Sequence, residues 1–202
     1  QSDGKIVTGG SFGRFNDVVI SNVTRLNSDG SLDTNFNHNN FSENTVINAI
    51  KILANGKILA GGSISSYDLS PMSDIVRLNI DGTLDSSFNT GGDGTNGEVR
   101  SISVQSDGKI IIGGNFTTYN GVNVSRVIRL NSDGSLDNGF NIGTGFTATS
   151  SDGVVKTLAI QSEGKIIAGG QFNAYNGIAR IGIARLNSDG SIDNGFVPGS
   201  GF

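Results

Sequence analysis

The chain has 202 residues, a formal charge of −4, 35% hydrophobic residues, 31 glycines, 2 prolines and no cysteine. The charge is spread thinly with no basic run to neutralise phosphates, which argues against a nucleic-acid partner, and no apolar stretch approaches the roughly 18 residues that span a bilayer. Disulfides, thiol catalysis and thiolate metal sites are excluded, although the lack of cysteine does not fix the compartment.

From its start the chain reads as one unit written four times: GKIVTGG at Gly4–Gly10, GKILAGG at Gly56–Gly62, GKIIIGG at Gly108–Gly114 and GKIIAGG at Gly164–Gly170. In each copy RLN begins fifteen residues after the second glycine of the doublet and DG(S/T)(L/I)D follows, so that Arg25, Arg77, Arg129 and Arg185 recur at intervals of 52, 52 and 56 residues. A period of this length, uninterrupted by linkers, predicts a single array over residues 1–202. Its blades run approximately over 1–45 (lacking a first strand), 46–97, 98–153 and 154–202. Gln1 aligns with Gln105 and Gln161 between the first and second strands, and Pro198-Gly199-Ser200-Gly201 matches the segments that precede a first strand. The array is therefore expected to be part of a longer polypeptide and a larger ring, with any signal peptide or anchor outside it.

Within a unit the elements follow in order. A first strand is predicted at Val46–Leu53, Val99–Val104 and Val155–Ile160, where Ile50/Ile52, Ile102/Val104 and Leu158/Ile160 alternate with small or polar residues. Asp3-Gly4, Asn55-Gly56, Asp107-Gly108 and Glu163-Gly164 are expected to form primed hairpin turns into a second strand. That strand covers Lys57–Ala60 and its copies, and consecutive apolar residues such as Ile110-Ile111-Ile112 imply burial on both faces. The doublets Gly9-Gly10, Gly61-Gly62, Gly113-Gly114 and Gly169-Gly170 suggest close backbone approach or a bulge. A Tyr-Asn-Gly hairpin (Tyr119-Asn120-Gly121, Tyr175-Asn176-Gly177) leads to a third strand at Val23–Leu26, Ile75–Leu78, Val127–Leu130 and Ile183–Leu186. A short outer segment, Leu32–Phe36 and its copies, closes the unit. These elements predict an all-β propeller of four-stranded antiparallel blades, with both DG turns on one end and the hairpins and variable linkers on the other. A β-solenoid is the structural rival.

The motif DGKI(L/I)xGGxFxxYNG…RLNxDGSLDxxF resembles the bacterial delta-sixty repeat, a β-propeller family of unknown function, over essentially the whole chain. Ile64 in place of the phenylalanine, and Pro71-Met72, depart from it in the second unit. The resemblance implies the fold and a setting in secreted, cell-surface or phage-encoded proteins; it carries over no catalytic residue.

Several residue patterns suggest chemistry. Asn131, Asp133 and Asp137, with their copies, place oxygen ligands around a glycine turn as a calcium loop would, but the bidentate glutamate is missing, and the competing reading is a turn whose last aspartate pairs with the arginine. Arg25, Arg77, Arg129 and Arg185 are read as structural forks between a carboxylate and turn carbonyls, and Phe36, Phe88, Phe140 and Phe196 as wedges between blades. Tyr119, Asn120, Tyr175 and Asn176 are candidate contacts to a glycan or protein, against a reading in which each tyrosine packs under its own hairpin. The unrepeated acid–base residues His38, Glu43, Asp93, Glu98, Arg100 and Asp152 are scattered, and His38 reads as a solvated surface residue.

These features point to a non-enzymatic interaction module of an exposed bacterial surface or phage protein, extracellular or in a virion. It is expected to use no cofactor, and its partner is a protein or glycan on a cell surface or a neighbouring subunit of an assembly. The alternatives are a spacer or shell component and a secreted glycan-active enzyme built on Asp93, Glu98 or Asp152.

Overall fold

The computed structural model describes every residue except 39, 40, 69, 73, 150–152 and 202. Asp152 and the middle of the first linker therefore lie outside the described residues. All regular elements among the described residues are strands.

Three blades each contain a three-stranded antiparallel sheet. The first strands are Val46–Ile52, Val99–Val104 and Val154–Ile160; the second are Ile58–Ser63, Ile110–Gly114 and Ile166–Gln171; the third are Ile75–Leu78, Val127–Leu130 and Ile183–Leu186. The second strand is central in each. The first blade has the second and third strands alone, Ile6–Gly9 paired with Val23–Leu26. The expected fourth strand shrinks to one bridge per blade, at Leu32, Leu84, Leu136 and Ile192. The aspartate that follows folds the chain into a tight turn, with Phe36 N bonded to Asp33 O at 3.1 Å, before a ladder can form.

The hydrophobic cores lie between blades. Ile58 and Ala60 face the core shared with Val23 and Phe36 of the first blade, whereas Leu59 faces the core containing Val99 and Ile102 of the third. Ile110 and Ile112 likewise point one way and Ile111 the other. Each second strand is thus the wall between two cores, which is why it is apolar at consecutive positions.

The glycine doublet serves both junctions. A Cβ on Gly61 would strike Val99 and Ile102 of the next blade, and one on Gly113 would strike Val155 and Leu158. The second glycine faces its own first strand, where a Cβ on Gly62 or Gly114 would overlap the carbonyl oxygen of Val46 or Glu98. These carbonyls press inward because the first strand bulges: the register shifts between Ile47 and Ala49, Val99 and Ser101, and Val155 and Thr157. The extra residues, Asn48, Arg100 and Lys156, are exposed.

Two expectations are corrected. The turns joining first and second strands are three-residue loops, closed by Leu53 N to Lys57 O at 2.8 Å and Gly56 N to Leu53 O at 2.9 Å. Only the glycine is left-handed (Gly56, φ 79). The residue before it keeps negative φ, and Glu163 is accepted there for that reason. True primed geometry occurs at the hairpin tips instead, where Asn120 and Gly121 have φ of 48 and 75. The loops also do not divide cleanly between two ends. Gly56 does pack on Ile80 of the second DG turn. The hairpin pairs with the incoming linker as expected, Tyr175 with Phe146, Tyr67 with Phe41 and Tyr119 with Thr95, but it also reaches the second DG turn, where Tyr119 donates its hydroxyl to Gly134 O at 2.5 Å.

Since no rotamer change relieves an overlap between Cβ and a backbone carbonyl, Gly114→Ala is expected to destabilise the fold by about 2–3 kcal/mol. Gly13→Ala, whose Cβ would meet nothing closer than 3.9 Å, should be near neutral. Urea unfolding midpoints compare the two.

Candidate functional site

The best-defined polar constellation occurs once per blade. Lys5, just ahead of the second strand, and Arg25 on the third strand converge on one oxygen of Asp33: Nζ and Nε each donate to Oδ2 at 2.7 Å. Lys57–Asp85–Arg77, Lys109–Asp137–Arg129 and Lys165–Asp193–Arg185 repeat this within 0.1 Å. The other oxygen caps the aspartate's own turn, accepting Asn35 N at 3.1 Å and Gly139 N at 2.9 Å. Lys5 and Arg25 together hold the Asp33 carboxyl at about 2, against an ordinary 3.8. Lys109 does the same for Asp137 and Lys165 for Asp193, both at about 2. Burial pushes Asp85 up, but Lys57, Ser87 and Arg77 outweigh it and keep it well below the carboxylate range.

With Nε pinned, the guanidinium lies over the phenylalanine of its own blade, at 4.9 Å from Phe36, 4.8 Å from Phe88, 4.9 Å from Phe140 and 5.0 Å from Phe196. Its far nitrogen leaves the blade. Arg25 Nη1 donates to Ile80 O at 2.5 Å, Arg77 Nη1 to Ser132 O and Arg129 Nη1 to Ser188 O at 2.5 Å, each in the second DG turn of the next blade. The next carbonyl in that turn is also taken, by Asn37 N on Asp81 O, Asn89 N on Asp133 O and Asn141 N on Asp189 O, all at 2.8 Å. The third accepts a tyrosine hydroxyl of its own blade at 2.5 Å: Tyr67 on Gly82 O, Tyr119 on Gly134 O and Tyr175 on Gly190 O. Phe36 and Phe88 fill the space a side chain on Gly82 or Gly134 would need. Three consecutive carbonyls are thus satisfied, two by the preceding blade and one by the hairpin.

This geometry removes several candidates from ligand binding. Tyr119 and Tyr175 are fully buried, and burial raises their phenols far above the usual range, so neither is presented to a glycan or protein. Asn120 braces the linker, donating to Asn89 Oδ1 at 2.6 Å and accepting Gly94 N at 2.7 Å, whereas Asn176 is exposed. In the calcium candidate, Asp137 is committed to two cations, Asp133 Oδ1 accepts Ser135 N and Oγ at 2.9 and 2.7 Å, and Asn131 turns its amide NH2 toward Ser135 Oγ at 2.9 Å. Their oxygens do not converge.

The unrepeated residues are dispersed. Glu98 and Arg100 pair at 2.5 Å on the surface, and Glu43 and Asp93 are exposed in different linkers. His38 is not a solvated side chain: it is half-buried, its Nδ1 lies 2.9 Å from Thr24 Oγ1, and burial lowers its pKa.

Two features escaped sequence reasoning. One is the left-handed position Asn22, Asp74, Arg126 and Gly182, with φ of 60, 62, 65 and 74, which no common chemistry marks. Asn22 Nδ2 bonds Thr45 O at 2.6 Å and Arg126 Nε bonds Gly153 O at 2.5 Å, tying each blade to the chain entering the next first strand. The other is a cleft of about 340 Å³ in the second blade, floored by Met72, Leu84 and Phe88 and rimmed by Asn89, Thr90 and Asp93. The equivalent space in the third blade is about 150 Å³, with the bulkier Ile142 in place of Thr90 and Val124 in place of Met72. The signal was those two substitutions within an otherwise regular repeat.

Two outcomes are expected. Tyr119→Phe leaves a buried carbonyl unpaired and should cost about 1–2 kcal/mol in chemical denaturation. Asp33, Asp137 and Asp193 release their protons more readily when folded than when unfolded. Their contribution is complete above about 4 and is lost as pH falls through about 2, so the melting temperature should drop steeply across that window, less so in Asp137→Asn.

No curated protein matches the chain. Among solved structures it is similar to a protein of unknown function from Bacteroides caccae, at 14% identity and a TM-score of 0.38, covering 94% of this chain and 76% of that one. The sequence matches the domain of unknown function DUF5122 at residues 1–36, 53–88, 105–140 and 161–196, well over half of its length. Each match spans a second strand, hairpin, third strand and DG turn, the parts that build the interlock, and the chain belongs to the DUF5122 β-propeller family.

Proposed function

We propose that the chain is a non-enzymatic interaction module of an exposed bacterial surface or phage structural protein, recognising a protein or glycan through the linker cleft of its second blade. The observation that carries this reading is the inequality of the clefts. The scaffold repeats, yet one blade opens a space more than twice that of the next, floored by apolar side chains and rimmed by an amide, a hydroxyl and a carboxylate. An apolar floor with a few polar groups at the lip suits a sugar face or a short peptide. Among the described acid–base residues, the engagement of Glu98 with Arg100 and the placing of Asp93 and Glu43 in different linkers favour the non-catalytic reading.

Thr90→Ile, which restores the side chain the third blade uses, tests the reading with little risk to the fold. Retention of the wild-type protein on arrays of immobilised oligosaccharides and of peptides should fall at least tenfold in the variant, with an unchanged melting temperature. Binding that is indifferent to Thr90→Ile would move recognition elsewhere, and hydrolysis of an oligosaccharide that disappears in Asp93→Asn would favour an enzyme.

A further inference from the structure

The cleft of the second blade offers fewer free polar groups than its rim suggests. The amide of Asn89 is spent on Asn120, donating to Oδ1 at 3.2 Å and accepting from Nδ2 at 2.6 Å. The Thr90 hydroxyl donates to Ser86 O at 3.2 Å. Of the charged side chains that line the cleft, Arg77 and Asp85 hold one another at 2.6 Å, and Asp85 also takes Lys57. That leaves Asp93, which is exposed and has no hydrogen bond or ion pair among the described residues. Nor does the floor present an aromatic face: Phe88 is 8% exposed, with the Arg77 guanidinium 4.8 Å from its ring centroid and Gly134 of the next blade packed against it. What remains open is aliphatic, Met72 and Leu84, both partly exposed.

The charge and the space fall in the same blade. Between the asparagine that bonds the next blade's turn and the residue that pairs with the hairpin tyrosine lie residues 38–40 in the first linker, 90–94 in the second and 142–145 in the third. The second stretch is the longest, and Asp93 is the only carboxylate in any of them. Its neighbours are anchored: Gly92 N donates to Asn89 O at 3.0 Å, and Asn120 clasps Gly94, accepting its N–H on Oδ1 at 2.7 Å and donating N to Gly94 O at 2.8 Å. The carboxylate is therefore carried on a tethered loop that need not be ordered when a ligand arrives.

We propose that the occupant of this cleft is a peptide segment in which an aliphatic side chain stands next to a lysine or arginine, the aliphatic group entering over Met72 and Leu84 and the cation meeting Asp93. The inference rests on the reading of the cleft as the recognition site and narrows its ligand to protein. A pyranose ring binds by laying its C–H face on an open aromatic ring and pairing its hydroxyls with groups that both donate and accept, but here Phe88 is covered and the amide is already paired. An aliphatic side chain needs neither. Methionine adapts its unbranched thioether to the shape that enters. A volume of about 340 Å³, at the lower end of the roughly 300–1,000 Å³ of ligand clefts, suits one or two side chains rather than an extended oligosaccharide. Asp93 supplies the charge complement that selects a basic neighbour.

The test compares retention of the wild type, Thr90→Ile and Asp93→Asn on immobilised hexapeptides with Leu-Lys, Leu-Gln, Leu-Glu or Ser-Lys at the centre of a glycine and serine sequence, and on neutral oligosaccharides. At low salt the wild type should favour Leu-Lys over Leu-Glu by about fivefold, with Leu-Gln between, and the preference should fade at about 1 M salt, where charges are screened beyond about 3 Å. Ser-Lys should not be retained, since an exposed charge pair alone holds little. Asp93→Asn should erase the order among the three leucine series, and Thr90→Ile should lose at least tenfold on all of them, each with the melting temperature of the wild type. Oligosaccharides retained in place of peptides, or peptides retained without a charge order, overturn this inference and leave the cleft reading standing when Thr90→Ile removes that retention. A charge order that survives Asp93→Asn also overturns the inference. Retention that ignores Thr90→Ile, or none of either ligand, overturns the cleft reading and this inference with it.

Discussion

A single carboxylate oxygen per blade, shared between a lysine and an arginine, sets the relation of each blade to the next. A guanidinium has several donors in a rigid fork, so fixing Nε on the aspartate fixes where Nη1 points. That direction is into the next blade's turn, in a guanidinium already flattened over a phenylalanine. The pair itself is not a large source of stability, since removing two charges from water offsets most of their attraction. Its consequence is register. Nearly every invariant of the repeat (the Lys of GKI, the Arg of RLN, the Asp-Gly turn, the last Asp and the Phe) touches this one interlock, so the repetition of the sequence reflects the repetition of a junction.

The glycine doublet is the backbone counterpart of that junction. Gly61 and Gly113 let the apolar residues of the next first strand approach the central strand, and Gly62 and Gly114 make room for carbonyls displaced by the bulge. One device thus serves packing between blades and distortion within a blade. The bulge in turn lifts out Asn48, Arg100 and Lys156, an amide, a guanidinium and an ammonium at one structural position. Invariant glycines hold variable side chains in an invariant frame.

What could be read in the sequence follows from this division. The third strands were legible to the residue because the same four-residue string, β-branched first and Arg-Leu last, recurs at a fixed place in every unit. The two-sided burial of the second strand was legible in Ile110-Ile111-Ile112, and the arginine–aspartate pairing in the fixed spacing of RLN and its aspartate. The turn before GKI was misjudged because Asn-Gly and Asp-Gly serve two geometries, and only hydrogen bonding distinguishes a three-residue loop from a primed turn. The sequence left the tyrosines open between a surface contact and packing under their own hairpin; burial favours the second, and the distance from Tyr119 to Gly134 along the chain gives no hint that the hydroxyl is handed to that carbonyl. His38 looked solvated amid asparagines, yet Thr24 and Phe36 enclose it. The left-handed position at Asn22, Asp74, Arg126 and Gly182 was invisible because backbone geometry alone unites it.

A repeat scaffold constrains where individuality can arise. A residue in the interlock cannot change without opening a core on either side of its blade, so differences between blades collect where the framework is not shared: the linkers, the hairpin tips and the bulge. Thr90 and Met72 differ from Ile142 and Val124 at such positions, and the same backbone holds a narrow cleft in the third blade and a wider one in the second.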